Sequence, residues 1–251
     1  MGTSRPPTTI PEDLLVPFEE AIELFRERIP VADDIIDALE ERHREQAFFV
    51  TGVSKAELLN DIKTELEKAL EEGQSLEEFR DRLEEISERY GWKSGQNAWR
   101  QRLIYRQNLT NAYHAGRKEQ SGQIQEERDT DVFILYRHGR PFEPRPHHVQ
   151  WDGTVLPADH EAWETYWPPN GFNCTCKTFT LTQRQVERRE LQVDEGFPET
   201  SPRLPDKGFR HAPGTGEARN TQREELLSKL SDRRRRQVLD EMREKGVDTP
   251  Q

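Results

Sequence analysis

Cysteine is nearly absent, with two in 251 residues, Cys174 and Cys176. At C-x-C spacing they supply no disulfide framework, and a bond between them would close a small strained ring. A reduced, intracellular chain is therefore expected. Long apolar runs are missing too. None approaches the roughly 20 residues of a membrane span. The opening MGTSRPPTTIPEDLL lacks an apolar signal core, and residues 1–16 are expected to form a flexible arm. Hydrophobic residues make up 32% against 34% charged, which predicts a thin core and much helix exposed to water or partners. There is no excess of positive charge. The net charge of −11 argues against nucleic acid binding by the whole surface, so any DNA contact needs a local basic patch. A glycine-rich phosphate loop is also absent, because Gly214-Thr-Gly216 lacks the strand and helix around it. No internal repeat is visible.

What is present, through the first half, is helical periodicity. Residues 17–29 place Phe18, Ala21, Ile22 and Phe25 on one face before Pro30. A second helix is predicted over about 33–49, capped by Asp33 or Asp34 and ended by Gly52. Ser54–Glu57 and Ser75–Glu78 read as capping boxes opening two more helices, the first closed by Gly73. After a turn at 91–96, a long helix is predicted over about 97–120, with Trp99, Leu103 and Tyr113 facing inward and Ile104 and Leu109 as further candidates for that face. No strand is expected within 17–120.

At Asp131 the period changes. Val132–Tyr136 is a continuous β-favouring run and reads as a buried strand. Cys176–Leu181 alternates and reads as a second strand, followed by a Thr182–Gln185 cap and a helix over 183–191. Residues 194–216 are rich in Pro, Gly, Asp and Ser and read as loop. A charged helix is predicted over 217–245. The fold class is therefore α+β. The predicted organisation is a helical domain at 17–125, a mixed module at 126–216 and a C-terminal charged helix at 217–251.

Residues 145–176 differ from everything upstream. They hold both cysteines, His147, His148 and His160, and Trp151, Trp163 and Trp167. Pro168, Pro169 and Gly171 forbid a continuous helix, and the tryptophans with Phe172 offer apolar surface to keep a long loop compact. Such a loop is more often functional than a passive linker. His148, Cys174 and Cys176 are donors of the kind zinc prefers, with His147, His160 or Asp152 as a fourth ligand. In an extended segment residues i and i+2 face the same way, so both sulfurs can meet one ion. The plainer reading packs the cysteines as small hydrophobes beside a hydrogen-bonded histidine. A third is a metal-dependent or Cys–His–Asp hydrolase site. Separately, Arg233, Arg234, Arg235 and Arg236 are either a contact for DNA phosphates or an acidic partner, or a solvated helix face.

Several rare residues here stand at family spacing: Arg145-Pro146-x-His148, Asp152-Gly153, Trp163, and Pro168-Pro169-x-Gly171-x-Asn173-Cys174-x-Cys176. The pattern resembles the phage Mu F-type head morphogenesis family. AFFVTG (47–52), IYRQNLTNAYHAGR (104–117) and KGFRHAPG (207–214) resemble further family segments. His160 stands where an acid is usual and Trp151 where leucine is usual. The resemblance implies a minor head protein of a tailed phage or prophage, with portal protein and major capsid protein as partners. It implies a place in the virion head or neck, assembly in the host cytoplasm, and a role in head morphogenesis and in DNA packaging or ejection. It implies no reaction. Some relatives carry a toxin enzyme domain after this module, for which little chain remains here.

Overall fold

Pro30 lies just beyond the first helix and inside a two-residue strand, and that placement sets the first half of the chain. The computed structural model describes residues 18–36, 39–127, 131–139, 141, 143–198, 204–213, 216–244 and 246–247. The expected arm at 1–16 lies outside them. The architecture is α+β. Helix α1 (Glu19–Arg26) is followed by β1 (Ile29–Pro30), α2 (Asp33–Ile36), α3 (Glu41–Arg44) and β2 (Ala47–Phe48). Three longer helices come next, α4 (Ala56–Glu72), α5 (Leu76–Tyr90) and α6 (Ala98–Glu127). The mixed part holds β3 (Val132–Arg137), α7 (Pro146–Gln150), β4 (Val155–Pro157), α8 (Trp163–Tyr166), β5 (Lys177–Thr182) and α9 (Gln183–Arg188). Helices α10 (Gly216–Ser228) and α11 (Asp232–Glu244) complete the order.

The expectation of no strand before residue 120 is overturned. β1 and β2 pair in parallel, Ile29 with Ala47 and Pro30 with Phe48. Ile29 N–H donates to Gln46 O at 2.8 Å and Val31 N–H to Phe48 O at 2.8 Å. A parallel ladder draws on alternate N–H groups, so Pro30, which has none, costs it nothing. The same pairing overturns the single helix over 33–49. Ala47 and Phe48 are withdrawn into the bridge, and only α2 and α3 remain.

Capping decides the next boundaries. Ser75 and Glu78 form the predicted capping box, with Ser75 Oγ accepting from Glu78 N–H and Glu78 accepting from Ser75 N–H. The box predicted at Ser54 does not form. α4 starts at Ala56, with Lys55 at its N-cap and no side-chain cap bond. Gly73 closes α4 in the left-handed region, at φ 68°.

On α6 the predicted inward face is wrong for two residues. Trp99 is 67% exposed and Tyr113 is 42% exposed. Ile104 is buried as expected, together with Gln101, Ala112, His114 and Ala115. Around Gly116 the small side chains let α1 lie close: a Cβ there would sit 2.8 Å from Ala21 N. The first core gathers Phe25, Phe48, Leu59, Ile62, Leu66, Phe79 and Leu83 from these helices and β2.

The predicted helix over 217–245 is two helices. Ser231 caps the second, its Oγ accepting from Arg234 N–H at 3.4 Å. The break lets both helices bury one face each. Leu226, Leu227, Leu230, Val238 and Met242 pack on Ile29, Val31, Ile36, Leu39 and Ala47. Arg219 and Arg223 reach Glu27 at 3.2 Å each. The last helices thus complete a core begun some two hundred residues earlier.

Candidate functional site

β3 is the central strand of a three-stranded antiparallel sheet of order β4-β3-β5. Its burial is continuous because both faces are covered. Ile134 and Tyr136 face a core with Trp151, Leu156, Trp163, Trp167, Cys174 and Cys176, whereas Phe133 and Leu135 face Val155, Leu181 and Val186. β5 pairs with β3 from Val132↔Thr182 to Arg137↔Lys177. Extending that register by one step sets His138 opposite Cys176. Side chains two apart in a strand share a face, so Ile134, Tyr136 and His138 look the same way, as do Thr178, Cys176 and Cys174.

The stretch expected to be one loop contains α7, β4 and α8. Pro146 stands in the first turn of α7, where its missing N–H has no helical partner to lose. This short helix carries His147 and His148 inward. β4 escaped sequence reading because Val155-Leu-Pro157 is three residues long, too short for a period.

His148, Cys174 and Cys176 come together as their residue types suggest. Their ligand atoms all lie within 4.8 Å of one another, and all three residues are buried. His148 Nδ1 lies 3.7 Å from Cys174 Sγ and 3.5 Å from Cys176 Sγ. Trp151 stacks on the His148 ring at 5.0 Å and 21°. A fourth group was missed in the sequence. His138 Nδ1 lies 3.5 Å from Cys176 Sγ. His138 stands outside the aromatic-rich stretch, and only the strand register brings it to Cys176. His114 on α6 also adjoins the site, hydrogen-bonded to the Cys176 backbone. Its carbonyl accepts from Trp167 Nε1–H at 2.9 Å, tying α6 to the same core.

The electrostatics are those of a coupled thiol pair. The Cys174 thiol is pushed down to about 4, foremost by a hydrogen bond from Cys176, against burial and with help from His148. Cys176 is pushed strongly up by Cys174 and by burial. The pair thus gives up its first proton readily, and the charge left behind opposes loss of the second. Burial lowers His114 to about 4 and raises the Tyr136 hydroxyl. Two thiols and an imidazole in this state suit a soft cation or a buried thiolate–imidazole pair.

The remaining predicted ligands lie elsewhere. Asp152 Oδ1 accepts from His138 N–H at 2.8 Å and pairs with Arg137 Nε at 3.1 Å. Asp152 therefore does not complete a Cys–His–Asp relay on His148. His147 packs its ring edge-on to Trp151 at 5.2 Å. His160 lies near Glu195 O and accepts from Ala162 N–H through Nδ1.

The other signature residues hold the frame. Arg145 Nη2 donates to Phe172 O at 2.8 Å, and Trp163 Nε1 donates to Pro157 O at 2.9 Å. Gly153, at φ 92°, turns the chain back to Tyr136, whose carbonyl accepts its N–H at 2.9 Å. Asn173 stands at φ 56°, its N–H donating to Gln107 Oε1 at 3.2 Å. Pro168–Pro169 is a cis peptide leading to Gly171. Phe172, expected to help fill the interior, is instead 53% exposed and meets Phe209 at the surface. Segment 207–213 packs back on this module, since Ala212 N–H donates to Glu164 O at 2.9 Å. Of the four arginines, Arg234 donates to Pro30 O, while Arg233, Arg235 and Arg236 are exposed.

Residues 60–179 match the model of a family described as Phage Mu protein F like protein. They span most of α4 through the middle of β5 and hold all of the signature residues above. This segment is similar to the phage Mu protein F like family. The chain is 27% identical over 215 residues to "Putative capsid assembly protein F" of Escherichia phage Mu, covering 79% of this chain and 48% of that protein. It is 29% identical over 168 residues to the Mu-like prophage FluMu F protein of Haemophilus influenzae, covering 62% of this chain and 40% of that protein. The chain thus spans less than half the length of either curated relative. No solved structure matches it. In Mu F terms, His148, Cys174 and Cys176 lie inside the matched module, and so does His138. The AFFVTG and KGFRHAPG pieces lie outside the matched span, yet both pack onto neighbouring cores of the same fold.

Proposed function

We infer that the protein is a head-assembly component of a tailed phage or prophage, built into the virion near the portal vertex. The observation that carries this reading is the Mu F-type match over residues 60–179, joined to a relative whose name is that of a capsid assembly protein. Portal protein and major capsid protein are the partners it calls for, with DNA packaging or ejection as the step served. The physical picture supports a scaffold. Trp151 and Trp163 are buried in the module's core, where they shape the fold. Trp99, Arg100, Phe172 and Phe209 line one groove, and these are the side chains that a neighbouring head protein would cover. The net charge of −11 favours a protein partner over free DNA. Co-expression of the chain with the portal and major capsid proteins of its own phage tests the reading. Co-purification with either, and malformed or empty heads when the gene is deleted, are the expected results. Normal infectious heads from the deletion would overturn it.

A further inference from the structure

The buried donor cluster has a use that head assembly does not supply. We propose that His148 Nδ1, Cys174 Sγ, Cys176 Sγ and His138 Nδ1 bind one zinc ion in a closed, structural, tetrahedral site.

Distances come first. Zinc–sulfur bonds of about 2.3 Å and zinc–nitrogen bonds of about 2.0 Å place the donors of a tetrahedron roughly 3.5–3.8 Å apart. The two sulfur–nitrogen edges from His148 are 3.7 and 3.5 Å, and the edge from His138 to Cys176 is 3.5 Å. The trio is compact without His138. His138 is half-buried, hangs at the end of β3 and touches one sulfur already, so a side-chain rotation brings its nitrogen onto the ion.

Charge comes second. Binding follows Zn²⁺ + 2 R–SH → Zn(S–R)₂ + 2 H⁺, with both histidines neutral. Two thiolates cancel the ion's charge, so a buried site carries no net charge and avoids the desolvation cost of an unpaired one. Coordination to the cation holds both sulfurs as thiolates.

Orientation comes third. Nε2 of His148 and Nε2 of His138 are both buried without a hydrogen-bond partner. Nδ1 of each ring faces sulfur and is the nitrogen placed to meet the ion. The ion would then tie together the end of β3, helix α7 and the run into β5, adding to the β3–β5 ladder and the Arg145–Phe172 hydrogen bond.

The experiment uses the full chain, purified without a polyhistidine tag. The expected result is about one equivalent of zinc, a lower Tm in chelator, and on cobalt(II) substitution a tetrahedral spectrum with thiolate-to-metal charge transfer. Cys174→Ser and Cys176→Ser should lose the metal. His138→Gln should weaken binding by at least about tenfold and alter the cobalt spectrum, while His160→Gln leaves both unchanged. Should the cysteine variants fail to fold, the wild-type cobalt spectrum and the histidine pair still decide. Less than a tenth of an equivalent of zinc with no cobalt spectrum overturns the site. His138→Gln behaving like the wild type, or His160→Gln behaving like His138→Gln, overturns the fourth ligand.

Discussion

Nδ1 of His138 lies 3.5 Å from the sulfur of Cys176, which stands 38 residues later. The β3–β5 ladder sets this distance, for Arg137 pairs with Lys177 and the next step is His138 against Cys176. A slip of one residue would turn every side chain of β5 to the other face and separate the pair. Register is strongly specified here because both faces of β3 are buried.

Trp151→Ala tests whether the aromatic centre holds the module. Trp151 is fully buried, stacks on His148 and meets Tyr136, Tyr166 and Phe197 edge-on. Loss of a buried indole costs about 3–5 kcal/mol. Urea unfolding should show that loss, and a change below about 1 kcal/mol would mean that the core re-forms without it.

Gly116→Ala weighs two opposed effects. Alanine gains about 1 kcal/mol over glycine inside a helix. The new Cβ would sit 2.8 Å from Ala21 N, and overpacking costs about 1–3 kcal/mol. The clashing atom is backbone, so α1 itself must move. A net loss of stability is expected, and a gain in Tm would show that α1 is free to shift.

Ser75→Ala should destabilise α5 by about 1 kcal/mol, the usual worth of a serine N-cap. The effect should depend on pH. Hydrogen bonds from the Ser75 backbone and side chain lower the Glu78 pKa. A depressed carboxylate stabilises the fold above its unfolded pKa, and that contribution is lost as pH falls through its folded pKa. The difference between Ser75→Ala and the wild type should therefore be full at neutral pH and shrink in acid. A difference that does not vary with pH would show that the Ser75 hydroxyl adds nothing to the Glu78 shift beyond the backbone N–H.

Trp99→Ala separates folding from assembly. The ring is 67% exposed, so stability should change by no more than about 0.5 kcal/mol. Under the proposed head-assembly role, co-purification with portal or capsid protein should fall, because exposed aromatics are the side chains that interfaces cover. Unchanged co-purification would place the contact elsewhere on the surface.

Much of this protein was legible from residues alone, where a local rule acts without a competitor. The Ser75–Glu78 and Thr182–Gln185 boxes, the left-handed glycine at 73 and the β-favouring run at 132–136 depend on short spacings, and the donor chemistry of His148, Cys174 and Cys176 depends on residue type alone. Other outcomes needed distant partners. Residues 47–48 left a helical pattern because β1 offered them backbone partners. Tyr113 stayed partly outside, its ring edge-on to Phe18 at 5.6 Å, and Trp99 stayed at the surface. The C-terminal charged helix broke in two so that both halves reach Ile29 and Val31. His138 joined the cysteines through strand register, which no spacing within 145–176 encodes. Sequence by itself determined which groups were available, and only tertiary structure decided which of them share a face, because backbone pairing and close packing are settled between segments far apart in the chain.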